Sequence, residues 1–263
     1  GDPAGRHAGA LRLIAVRAGR LLSGDAEGAL HVWDPASGAA LRSIRIGSRR
    51  APPAYTLNHA GDRVWIREAY RLREFDVATG HELRRLPRPK SHSIHAALRE
   101  DDLELAVLGF AGDVEVWDLE RGQRRFSQPV KRREDTPSRV GLLPSGQLLL
   151  GMTSGALLLV ELDGSMAWSR SAGPKRVASL EVLPGGERAL VATDEGSVTC
   201  WSLPAGEELL RFQTEPLSSL ALSGQRILLG HQSGALELRD ATSGTQLWSR
   251  PGAVGALPLV ALA

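Results

Sequence analysis

The chain has 263 residues, 42% hydrophobic and 24% charged, with a formal net charge of +2. That length buries an ample core without staples, and the single cysteine, Cys200, excludes an internal disulfide or a cysteine metal cluster. No run has the ~18 apolar residues needed to cross a bilayer, and the opening GDPAGRHAGALRLIAV lacks the apolar core and cleavage site of a signal peptide. A cytoplasmic location is expected, with the periplasm as the alternative.

Six copies of one pattern follow in chain order. They read RLLSGDAEGALHVWDPASGAALRSI from Arg20, RVWIREAYRLREFDVATGHELRRL from Arg63 and LELAVLGFAGDVEVWDLERGQRRFS from Leu103. The later three read QLLLGMTSGALLLVELDGSMAWSR from Gln147, RALVATDEGSVTCWSLPAGEELLRF from Arg188 and RILLGHQSGALELRDATSGTQLWSR from Arg226. In each, an apolar run ends at a first turn position: Gly28, Tyr70, Gly112, Gly155, Gly196 and Gly234, spaced 42, 42, 43, 41 and 38 residues apart. Five residues on comes a bulky position, held by Trp33, Phe75, Trp117, Val160, Trp201 and Arg239. The next residue is Asp34, Asp76, Asp118, Glu161, Ser202 or Asp240, and a second turn follows at Gly38, Gly80, Gly122, Gly164, Gly206 and Gly244.

Short β-former runs such as GALHVWD predict strands, and glycine supplies positive φ in the tight turns. Four strands, three turns and a connector fill one unit. Such a blade cannot bury both faces alone, and packing blades face to face around an axis solves this. The expected fold is an all-β propeller of four-stranded antiparallel blades forming one domain over 1–263. The repeats are expected at about 9–50, 51–90, 91–133, 134–174, 175–214 and 215–252. The tail 253–263 reads as an extra closing strand, so six full repeats are favoured; seven blades is the alternative if the chain is truncated. A ring left open would expose a strand edge and favour a dimer.

At GALHVWD and GDVEVWD the sequence resembles the WD-repeat propeller family, over roughly residues 9–250. The resemblance implies a four-stranded blade closing on a Trp-Asp pair and a role as a scaffold for protein complexes. Family blades often carry a Gly-His pair upstream and an Asp in the turn before the third strand. Here Gly80-His81 and Gly230-His231 fall elsewhere, and the residue before the first turn position is Glu27, Ala69, Ala111, Ser154, Glu195 or Ser233. An intrablade His–Asp network is therefore not expected. GALELRDATSGTQLWSR, with SMAWSR around Trp168, is also similar to the pyrroloquinoline-quinone-type repeat. That group holds quinone dehydrogenases and non-enzymatic propeller scaffolds of the bacterial envelope. Nothing here supplies the dehydrogenases' quinone pocket or calcium ligands, so no cofactor is expected.

No nucleophile elbow, Cys/His pair or phosphate loop is present. His92 and His95, three apart at the entry to a strand, point to opposite faces, which disfavours a metal. Trp33, Trp117 and Trp201 share one repeat position and read as packing between blades, while Trp168 and Trp248 on the outer strand read as docking them. Trp33, Asp34, Phe75, Asp76, Trp117, Asp118, Trp201 and Asp240 are thus structural.

The connectors between units carry the one pattern above background: Arg49 and Arg50, Arg88 and Lys90, Lys131, Arg132 and Arg133, then Lys175 and Arg176. Residues 1–139 hold 24 Lys and Arg against 19 Asp and Glu, a net of +5, and residues 140–263 hold 8 against 11, a net of −3. A cationic arc attracts acidic peptides or phosphates; nucleic acid is disfavoured because no aromatics interleave with those bases. The chain is expected to be a non-enzymatic interaction or regulatory module, of bacterial signalling type, for an acidic protein partner. The alternatives are an enzyme or small-ligand binder at the channel mouth and a bacterial envelope assembly scaffold.

Overall fold

The computed structural model describes residues 7, 11–17, 20–34, 36–45, 54–68, 70–130, 135–223 and 225–252. These form twenty-four strands in six four-stranded sheets, each a simple antiparallel meander, the blades of a β-propeller. They divide into two compact units at the Ser93–Ile94 step.

In the first unit, blade 1 is β1 (Leu11–Arg17), β2 (Arg20–Asp25), β3 (Ala29–Trp33) and β4 (Ala40–Arg45). Blade 2 is β5 (Ala54–Leu57), β6 (Arg63–Glu68), β7 (Arg71–Asp76) and β8 (Glu82–Arg85). Leu22, Leu30 and Val32 of blade 1 pack against Tyr55, Val64, Ile66 and Phe75 of blade 2.

In the second unit, blade 3 is β9 (Ser93–Leu98), β10 (Glu104–Gly109), β11 (Asp113–Asp118) and β12 (Gln123–Pro129). Blade 4 is β13 (Pro137–Leu142), β14 (Leu148–Met152), β15 (Ala156–Val160) and β16 (Met166–Ser171). Blade 5 is β17 (Val177–Val182), β18 (Arg188–Thr193), β19 (Ser197–Ser202) and β20 (Glu208–Gln213). Blade 6 is β21 (Leu217–Ser223), β22 (Arg226–His231), β23 (Leu236–Asp240) and β24 (Gln246–Arg250).

Blade 4 shows why its copy of the repeat is the most apolar. Leu148, Leu150 and Leu158 join the core shared with blade 3, while Leu149, Leu157 and Leu159 join the core shared with blade 5. Alternate residues of one strand face opposite ways, so a blade buried on both faces needs leucine at every step. Each such side chain contributes about 1.5–3 kcal/mol of burial.

A β-bulge recurs between the third and fourth strands of every blade, always at the bulky repeat position: Trp33, Phe75, Trp117, Val160, Trp201 and Arg239. One outer-strand residue is left over at each bulge, and in four blades it is an exposed leucine: Leu41, Leu83, Leu209 and Leu247. A bulge twists an edge strand and breaks its ladder, which protects the outer rim from strand addition.

Four of the six second-turn glycines, Gly80, Gly164, Gly206 and Gly244, lie close against side chains of the preceding blade, whereas Gly38 and Gly122 have open space around them. A Cβ on Gly206 would lie 2.7 Å from Trp168 Cε2 of the preceding blade, and Trp168 Nε1 donates to Pro204 O at 2.6 Å. Trp168 therefore docks blade 4 on blade 5 as its outer-strand position implies. Trp248, at the matching place on β24, is 40% exposed. The expected closing strand 253–263 lies outside the described residues.

Candidate partner-binding site

The acids of the repeat are turn caps. Asp34 Oδ2 accepts from Ser37 Oγ at 2.6 Å and Oδ1 from Ala36 N at 3.0 Å. Asp76 Oδ1 accepts from Thr79 Oγ1 and N, and Asp240 Oδ1 from Ser243 N and Oγ and Thr242 N. Asp118 Oδ1 accepts from Arg121 N. These donors hold all four carboxyls below the usual range: the Ser37 hydroxyl first at Asp34, the Thr79 hydroxyl at Asp76, and the backbone N–H of Arg121 and Ser243 at Asp118 and Asp240.

The bulky position also has a common bond. Trp117 Nε1 donates to Glu115 Oε2 at 3.2 Å and Trp201 Nε1 to Thr199 Oγ1 at 2.8 Å, each two residues back on the same strand face. In blade 6 Arg239 takes this role: its guanidinium meets Glu237 Oε1 at 2.6 Å and stands over the Phe212 ring at 4.5 Å. Glu237 is buried and also meets His231 Nε2 at 3.2 Å and accepts from Thr214 Oγ1 at 2.8 Å. Thr214, His231, Glu237 and Arg239 help line an open cleft of about 640 Å³.

Blade 1 gathers two histidines, a serine and an acid around Trp33. Trp33 Nε1 donates to Ser23 Oγ at 2.7 Å, and His7 Nε2 lies 2.6 Å from the same oxygen. His7 Nδ1 faces Asp25 Oδ2 at 3.2 Å, an electrostatic contact rather than a directed hydrogen bond. Asp25, fully buried, accepts from Glu27 N and Ala29 N through Oδ1. His31 stacks edge-on against His7, with ring centroids 4.3 Å apart, and its Nδ1 lies 2.6 Å from Ser43 Oγ. The sequence hid this because Asp25 is three residues before Gly28 rather than one, and because His7 follows Arg6 rather than glycine. The Ser23-His7-Asp25 order matches a nucleophilic triad, yet Ser23 is only 6% exposed and its oxygen already accepts from Trp33. The trio ties His7 to β2, and the His31 ring contact ties it to β3.

Among the described residues, the connectors after blades 3, 4 and 5 are latched to the turns of the blade that follows. Arg176 Nε and Nη2 form a bidentate pair with Asp194 at 2.9 and 3.0 Å, and Lys175 Nζ meets Glu195 Oε1 at 3.8 Å. Asp135 accepts from Thr153 Oγ1 and from Ser154 N and Oγ, and Glu215 Oε2 from Ser233 Oγ. Arg139, on β13, is largely buried; burial first and the Arg176 charge second push its guanidinium down to about 10, against the pull of Asp194. Lys175 and Arg176 are thus engaged by acids of their own chain.

Blade 2 differs. Arg88 stands over the Tyr70 ring at 4.3 Å, and the His92 ring lies 6.0 Å from that of Tyr70. Around them an open depression of about 410 Å³ is lined by Glu68, Tyr70, Arg71, Arg85, Leu86 and Arg88. Glu68 is buried and meets Arg73 Nη2 at 2.5 Å, and Arg85 is paired with Glu82. Among the described residues neither Arg71 nor Arg88 is in an ion pair. Lys90 is exposed on the same connector. Arg49, Arg50, Lys131, Arg132 and Arg133 lie outside the described residues. Sequence reasoning missed Arg71 and Tyr70 as site residues, although Tyr70 is the one non-glycine at its repeat position. Among the described residues no helix is long and apolar enough to cross a membrane.

Comparisons bear on these features. The sequence matches, over residues 3–149 and 154–262, the PQQ_2 family model described as outer membrane protein assembly factor BamB. The structure is similar to the β-propeller domain of Cps50 (Swd1) from Myceliophteria thermophila, with a TM-score of 0.83 and 15% identity over 97% of this chain and 90% of that one. At that identity the likeness speaks for the fold alone. Among curated proteins no match is found.

Proposed function

The chain belongs to the PQQ_2 family described as outer membrane protein assembly factor BamB, and on that premise we propose that it is a non-catalytic scaffold whose connectors hold an acidic partner protein. The observation that carries the reading is Arg88, exposed on its connector and outside any described ion pair, where Lys175 and Arg176 are taken up by Asp194 and Glu195. An arginine without an internal acid keeps its planar donors for a partner's carboxylates. The other connector cations, Arg49, Arg50, Lys90, Lys131, Arg132 and Arg133, belong to the same reading as contributors to the field around 1–263, taken as one propeller domain.

The test is binding of an immobilised Glu-rich peptide after reversing Arg49, Arg50, Arg88, Lys131, Arg132 and Arg133 to Glu. Reduced affinity and a flatter salt dependence are expected; unchanged affinity with unchanged salt dependence refutes the reading. A second reading, an envelope scaffold for outer-membrane protein assembly, is favoured by the family match. Fractionation of the full-length protein from its native cell tests it: recovery with the periplasm or envelope is expected, and recovery with the cytosol alone refutes it.

A further inference from the structure

The first turn position is glycine in five blades and Tyr70 in blade 2. In blades 4 and 5 the glycine lies directly under the connector that follows. A Cβ on Gly155 would sit 2.0 Å from Gly173 O and 2.6 Å from Lys175 O, and one on Gly196 2.2 Å from Thr214 O and 2.6 Å from Glu215 O. Their φ angles are +87° and +83°, so both space and backbone exclude a side chain there. Blade 2 escapes both constraints because its turn is shorter. β6 ends at Glu68 and β7 begins at Arg71, the two paired across the ladder, whereas residues 26–28 separate β2 from β3. A tyrosine ring stands where connector backbone runs elsewhere, and the depression opens between the turn and the segment 86–88.

The geometry points to a carboxylate-binding subsite in this depression, with Arg71 and Arg88 gripping adjacent Asp or Glu side chains of a partner's peptide segment. This rests on the reading that the chain recruits an acidic partner, and it names the place and the chemistry. A guanidinium held over a ring uses its face on the ring and keeps its edge donors for a planar acceptor. Tyr70 thereby fixes Arg88 before binding, which lowers the entropy cost of capture. Glu68, the one acid among the described lining residues, is already engaged by Arg73, and Arg85 by Glu82. The exposed Tyr70 ring adds apolar surface that suits the methylenes of acidic side chains and that inorganic phosphate would not use.

The experiment is fluorescence anisotropy of a fluorescein-labelled Gly-Glu-Glu repeat peptide on the whole chain and on Arg71→Ala, Arg88→Ala, Arg88→Lys and Lys175→Ala. Arg71→Ala and Arg88→Ala each weaken binding by about tenfold, the loss of a charge-assisted hydrogen-bond pair. Arg88→Lys recovers only part, and Lys175→Ala leaves affinity unchanged. Both arginines are exposed, and circular dichroism melts matching the unsubstituted chain confirm folding. If the double variant Arg71→Ala/Arg88→Ala binds like the unsubstituted chain, the subsite is refuted while acidic-partner recruitment stands. If the unsubstituted chain binds no acidic peptide, both fall. If a phosphoserine peptide of equal length displaces the Glu peptide at lower concentration through the same arginines, the carboxylate assignment is overturned.

Discussion

Replacing His7 by Ala tests the blade 1 network. Ser23 Oγ accepts from Trp33, and in the tautomer that carries its proton on Nδ1, toward Asp25, His7 Nε2 at 2.6 Å accepts the Ser23 proton, within a site where Ser23 is nearly inaccessible. Leaving that donor unsatisfied costs about 1–3 kcal/mol. The lost edge-on contact with His31 adds about 0.5–1.5 kcal/mol, and the contact with Asp25 goes as well. The total is about 1.5–4.5 kcal/mol, which at ~2–4 °C per kcal/mol for a chain of this size lowers Tm by about 3–18 °C. Repeat folds lose stability locally, so hydrogen exchange on β2 and β3 should quicken more than on β18 and β19. His7→Gln, which keeps an acceptor, should recover part of the loss. A His7→Ala chain melting within about 1 °C of the parent, less than the ~2 °C that each kcal/mol commands, with unchanged exchange in blade 1, refutes the assignment.

Four further outcomes follow from the same geometry. Gly122, at φ +63° with open space around it, should tolerate Ala at about 1–2 kcal/mol of backbone strain, whereas Gly196→Ala, which meets Thr214 O at 2.2 Å, should lose more in denaturant titrations. Trp201→Phe removes the donor to Thr199 Oγ1 and should cost about 1 kcal/mol by the same assay. Burial, then the charges of Asp25 and Glu68, push the Tyr55 phenol above its ordinary value of 10.0, and its hydroxyl donates to Asp25 O at 2.7 Å. A raised folded value means stability is fully present below the unfolded pKa of about 10 and is lost as pH rises beyond it, so melts above that pH should fall steeply and Tyr55→Phe should flatten the fall. Asp194→Asn should release Arg176 and strengthen binding of the Glu peptide, seen as a lower Kd at low salt.

The blades were legible because each unit repeats a strand-turn grammar, and the bulky position keeps its bulge even where Val160 or Arg239 replaces tryptophan. Arg239 stands where other blades carry tryptophan, and it keeps the tryptophan's bond by reaching Glu237, two residues back on the same face. The site was half legible. Connector cations were visible, but their partners were not, because Asp194 meets Arg176 only after the chain has run out along β17 and back along β18. A positive residue in a loop reads as available charge until the turn beside it is placed. The His7 network failed for a similar reason: its members are spread over residues 7–33 and their offsets depart from the family pattern. Tyr70 stood out as an exception among glycines, but only the shortened turn shows what the exception makes room for.

The most direct measurement is NMR of arginine side-chain N–H groups as the unlabelled Glu peptide is added to the whole chain. Arg71 and Arg88 should shift together and saturate at one Kd, while Arg176, held by Asp194, stays in place. Shifts confined to Arg176 and the other latched cations, with Arg71 and Arg88 unmoved, would contradict the account.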